Sequence, residues 1–104
     1  MADIIIALFT CVDEQQAFLI ARALVEERLA ACVNVLPRIH SIYRWKGAVE
    51  SAQEVLLLAK TTGHVFPALR DRIVELHSYE VPEVIAVPVV AGLEAYLTWV
   101  RESV

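Results

Sequence analysis

Apolar positions along the chain change period several times, and each change marks an element. "IIIALFT", Ile4 to Thr10, is an unbroken apolar run of strand length, rich in β-branched residues, which predicts a buried strand. From Asp13 the period lengthens to that of a helix. Ala17, Ile20, Ala21 and Leu24 fall on one stripe, with Gln15, Arg22, Glu26 and Glu27 facing away. Asp13 reads as the N-cap, Gln16 completes a capping-box pattern, and the helix is expected to run to about Arg28. Ala31–Trp45 and Ala48–Thr61 then read as two long strands joined by a tight turn at Lys46-Gly47, with Pro37 confined to a bulge or an edge. A second helix opens between His64 and Pro67 and carries Phe66, Leu69, Ile73 and Leu76 inward. A strand is expected over Val84–Ala91, after which Gly92 releases a last helix with Leu93, Tyr96, Leu97 and Val100 inward.

The order is therefore β-α-β-β-α-β plus a terminal helix, an α+β class chain on the ferredoxin-like plan, with residues 1–104 forming one domain. Two features do not suit a monomer. Helices of this plan cover one face of the sheet, yet "IIIALF", "VLLLA" and "VIAVPVVA" are apolar on both. Strands of this length, at ~3.3 Å per residue, also outrun a compact domain of ~13 Å radius of gyration, so the hairpin must project beyond its own core. Both features predict an oligomer.

Composition sharpens this. An apolar fraction of 58% exceeds the usual 45–50% or so, but no run approaches the ~20 residues of a membrane helix, so no membrane is expected as partner. The net charge of −4 excludes a basic nucleic-acid footprint. Two Cys, Cys11 and Cys32, are too few for a disulfide scaffold, and "MADIIIALFTCVDEQ" has Asp3 where a signal peptide carries basic residues. A reducing cytosol and free thiols are expected.

Following the chain up and down the sheet brings three segments to one end: Cys11 at the exit of the first strand, the Lys46-Gly47 turn, and "LHSYEVPEVIAVPV", whose loop from Leu76 to Glu83 joins the second helix to the last strand. Cys32 falls at the opposite end, so an intrachain disulfide with Cys11 is excluded by distance.

"LAACVNVLPRIHSIYRWKG", "LLLAKTT" and "LHSYEVPEVIAVPV" together resemble the CutA family of divalent-cation tolerance proteins, across essentially the whole chain. The resemblance implies a homotrimer of ferredoxin-like protomers, built through the sheets and the long hairpin and similar in architecture to PII signalling proteins. It also implies a role in tolerance of copper and other divalent metals. For a copper site it implies a Cys at the end of the first strand and a His-His pair. Cys11 matches the Cys and His77 the second His, whereas Leu76 stands at the first His and Ser78 at the Pro that usually follows. Tyr43, Trp45, Lys60, Tyr79 and Glu83 match further motif positions, several lining clefts between protomers.

Thiolate and imidazole suit copper or zinc, but two ligands are too few for a closed site. Glu80, Glu83 or a neighbouring subunit would have to supply the rest. The competing reading is a small core Cys and a His at a helix C-terminus. Tyr43 and Trp45 share a strand face and read as an aromatic rivet at the trimer seam. Glu54 and Lys60 share a face on the next strand, as an interfacial ion pair or a grip on an anionic ligand. His40 and His64 read as surface residues and Cys32 as a core thiol. No nucleophile–base–orienter arrangement or Gly-rich phosphate motif occurs, and the acidic "TCVDEQQ" is no phosphate cradle, so an enzyme is not expected. Two functions remain: a metal-responsive or metal-binding trimer with copper as its possible cofactor, none being needed for folding, or a PII-like small-molecule sensor or scaffold.

Overall fold

The computed structural model describes residues 3–104. The elements are β1 (Ile4–Cys11), α1 (Glu14–Glu26), β2 (Cys32–Trp45), β3 (Ala48–Thr62), α2 (Phe66–Leu76), β4 (Val84–Pro88) and α3 (Glu94–Ser103). The four strands form one antiparallel sheet in the order β2-β3-β1-β4, the ferredoxin-like arrangement that the hydrophobic periods predict.

The stripes of α1 and α2 pack as the periodicity predicts. Ala17, Ile20, Ala21 and Leu24 of α1 and Leu69 and Ile73 of α2 close over Ala7, Phe9 and Cys11 of β1 and Val55, Leu57 and Ala59 of β3. Asp13 caps α1 by accepting the Gln16 N–H at 2.8 Å. The reciprocal half of the capping box is missing, for the Gln16 Oε1 is buried without a partner. The helix stops two residues before the expected Arg28. Arg28 takes a left-handed φ of 59°, and Leu29 N–H returns to the Leu24 carbonyl at 2.8 Å.

The hairpin of β2 and β3 gives the protomer its length, 44 Å along the longest axis against 26 and 23 Å across. Lys46 and Gly47 both adopt positive φ, 50° and 81°, as a two-residue hairpin turn requires. Register slips between Leu36 and Ile39, so that Pro37 and Arg38 stand opposite Val55 alone. Pro37 thus lies in a bulge on an edge strand, both of the positions open to it.

The second face of the sheet is only partly covered. α3 lies across its lower end, where Val100 packs with Ile4 and Ala31. This helix is less buried than its pattern suggests. Leu93 remains 76% exposed and Tyr96 40%, because α3 meets the sheet along one narrow stripe. Above α3, register aligns Leu8 with Leu58 on one side, Ile6 and Leu8 with Val87 and Ile85 on the other, and Leu36 with Leu56 further along the same face. This band is apolar and open, with Ile85 53% and Val87 44% exposed. β4 ends at Pro88 instead of Ala91 because its partner has run out: Ile5 pairs with Pro88, and one further bond joins Val89 N–H to the Ile4 carbonyl.

Candidate functional site, an acidic and aromatic cleft

At the upper end of the open face, the Leu76–Glu83 loop folds over the sheet beside the projecting arm and encloses a cleft of about 890 Å³. The arm contributes Tyr43 and Trp45, which register places on the same face as Glu50 and Glu54 of β3. The loop contributes Tyr79, Glu80 and Glu83, and β1 contributes Thr10. All four charged side chains of the lining are glutamates.

A chain of hydrogen bonds fixes the wall. Thr10 lies one residue beyond the last β1–β4 pair, Phe9–Val84, so its carbonyl is free to accept from the side. His77 Nε2 meets it at 2.6 Å, while His77 Nδ1 accepts the Tyr79 N–H at 3.0 Å. The second bond requires Nδ1 to be unprotonated, so Nε2 carries the hydrogen and donates to Thr10, and the imidazole is neutral. Tyr79 stacks on that ring with centroids 4.6 Å apart and donates its hydroxyl to Glu54 Oε2 at 2.7 Å. Burial, followed by the bond to Glu54, raises the Tyr79 phenol well above its ordinary range, which keeps the donor protonated.

Of the residues expected at the site, Tyr43, Trp45, Glu54, Tyr79 and Glu83 do meet around this cleft. Cys11 does not. It shares the helix side of the sheet with Ala7 and Phe9, fully buried in the core, while its neighbour Thr10 faces the cleft. Burial, then the charges of Asp13 and Glu54, push its thiol up to about 12. Without a metal the thiol is thus favoured over the thiolate, the form that binds metals. With both ring nitrogens of His77 engaged as well, the Cys11–His77 pair does not fit a bound copper ion in this fold. Among the described residues, no group of three or more His, Cys, Asp and Glu side chains is placed to hold a metal.

Lys60 shares the face of Glu54 but lies six residues along β3, roughly 20 Å away, and donates to the Asn34 side chain. Cys32 is no core thiol: it is half-buried on the open side, with its Sγ 3.4 Å from the Tyr96 hydroxyl. A thiol reagent should therefore modify Cys32 at least tenfold faster than Cys11 in the native protein at pH 8. Mass-spectrometric mapping of the labelled residue checks this, and equal rates would mean that the core around Cys11 opens readily. Thr10, not among the expected site residues, is legible from strand parity, since alternation from Phe9 and Cys11 turns it to the other face.

The fold defines a ferredoxin-like α+β chain with an overlong hairpin. The family model of the CutA1 divalent ion tolerance protein matches residues 5–103, and the chain belongs to that family. It is 54% identical over 98 residues to the divalent-cation tolerance protein CutA of Thermus thermophilus, covering 94% of this chain and 95% of that one. The solved structure of the Thermus protein superposes with a TM-score of 0.95 at 53% identity, covering 96% of this chain and 97% of that one. Protein CutA of Homo sapiens is 54% identical over 96 residues, which make up 92% of this chain and 54% of the human protein.

Proposed function

We propose that the chain serves divalent-cation tolerance as a cytosolic homotrimer and binds a divalent metal through the carboxylates of its cleft. The observation that carries this is the sign of the lining, whose four charged side chains, Glu50, Glu54, Glu80 and Glu83, are all carboxylates. Such a cleft concentrates cations, and carboxylate, hydroxyl and carbonyl oxygens supply hard ligands. Glu54 and Glu83 are the proposed ligands, with the neighbouring protomer completing the set. The open apolar band supports the trimer, and the two free thiols accord with a reducing compartment. No helix among the described residues is long and apolar enough to cross a membrane.

Isothermal calorimetry with Cu²⁺ tests the assignment. Glu54→Gln with Glu83→Gln should weaken copper binding tenfold or more, whereas Cys11→Ser with His77→Ala should change it less than threefold. The reverse pattern would restore a Cys11–His77 copper centre and overturn the carboxylate site.

A second reading, a small-molecule sensor of PII-like type, is favoured by the volume and aromatic walls of the cleft. About 890 Å³ is the size of a pocket for an organic ligand and far exceeds a bare ion.

A further inference from the structure

Glu54 is only 8% exposed. Its carboxylate nevertheless takes a single side-chain hydrogen bond, from Tyr79. Among the described residues no Lys, Arg or His forms an ion pair with it. The ion-paired arginines, Arg22, Arg70, Arg72 and Arg101, all spend their charge on other carboxylates. A carboxylate withdrawn this far from water is costly to leave without a cation. The space in front of it is large: Tyr79 walls it beside Glu54, and Tyr43 and Trp45 wall it further along the arm, opposite Glu50 and Ala48. Trp45 already carries the Lys46 ammonium 5.8 Å from its ring centroid, so a face of this indole receives a cation in the protein as it stands. Glu50 lies four residues from Glu54 on the same strand face, ~13 Å further along the arm.

We propose that the cleft binds an elongated organic cation of the alkyl diamine or polyamine class. One ammonium sits on Glu54 beside Tyr79, the alkylene chain runs past Ser41, and the far ammonium reaches Glu50 beside Tyr43 and Trp45. This rests on the small-molecule reading above and gives it a substrate class. The two carboxylates set the charge and the spacing of the ligand, and the aromatic rings beside each of them receive its ammonium groups. A metal ion would use the carboxylates and leave the aromatic wall idle. His77 acts here as a positioning residue, since its ring holds the Tyr79 backbone and Tyr79 in turn holds Glu54.

The test uses the assembled protein carrying Trp99→Phe, so that Trp45 is its single tryptophan. Trp45 fluorescence is titrated with 1,6-diaminohexane, with the neutral isostere 1,6-hexanediol and, separately, with Cu²⁺. The diamine should saturate at least tenfold below the diol, and Glu54→Gln should weaken it tenfold or more. Glu54→Gln keeps the shape and the bond from Tyr79, so its folding is checked by an unchanged sedimentation profile. Saturation by the diamine with equal affinity for wild type and Glu54→Gln would overturn the proposal, as would equal binding of diamine and diol. Absence of diamine binding, with an assembly weakened by Glu54→Gln, would overturn it too and assign a partner protomer's cation to Glu54. Copper binding without diamine binding would end this inference and leave the metal reading intact; diamine binding without copper binding would do the opposite.

Discussion

Leu58→Asp is expected to dissociate the proposed trimer into monomers at micromolar concentration, read as a fall in mass by sedimentation equilibrium. Leu58 lies midway along the open band, paired across the sheet with Leu8 on one side and Asn34 on the other. Among the described residues nothing covers this row above α3, and its members alternate strictly with the core-facing Val55, Leu57 and Ala59. A face of this kind gains by burial at roughly 25 cal/mol per Å². A carboxylate placed in it must be desolvated without a partner, at a cost of several kcal/mol per seam. The substitution leaves the helix-side core untouched, so circular dichroism of the dissociated chain should still show its helices. A Leu58→Asp protein of unchanged mass would place the contact between protomers elsewhere.

The other large effect is expected within the protomer. Phe9 is fully buried at the centre of β1, between Leu57 and Val84 on the flanking strands and beneath the helices. Phe9→Ala should cost ~3–5 kcal/mol, through lost transfer energy and a cavity that the two-sided packing cannot close. Phe18→Ala serves as the comparison. Phe18 lies on the outer side of α1, more than half exposed, and its truncation should stay within about 0.5 kcal/mol. Urea denaturation of the two variants measures the difference directly. Similar midpoints would mean that the interior of the assembly is organised differently from its protomer.

The helices and the sheet were legible because their signals are local. The stripe from Ala17 to Leu24 and the turn at Lys46-Gly47 each depend on residues close in sequence. The apolar second face of the sheet could also be read, since "IIIALF" and "VLLLA" offer no polar side. What escaped was set by neighbours distant in sequence. The length of β4 depends on where β1 stops offering partners, and the exposure of Leu93 depends on how α3 crosses the sheet. At the site, sequence brought Cys11 and His77 to the correct end of the sheet but not to a shared face. A strand reverses its side chains at every residue, so one position separates a buried thiol from Thr10 on the cleft wall. The commitment of both His77 nitrogens was likewise hidden, since it needs the Thr10 carbonyl, 67 positions earlier.

The bulge at Pro37 and Arg38 has a further consequence for what the arm must avoid. β2 is an edge strand of 14 residues, long enough to act as a template for any extended chain that drifts alongside. The bulge divides its ladder into a run from Cys32 to Leu36 and another from Ile39 to Trp45. Pro37 has no amide hydrogen to offer, and Arg38, at a φ of 61°, turns the backbone out of the extended path. A strand docking end to end along this edge would lose its register midway. The arm can therefore be long enough to reach past its own domain without seeding fibrils of stacked chains.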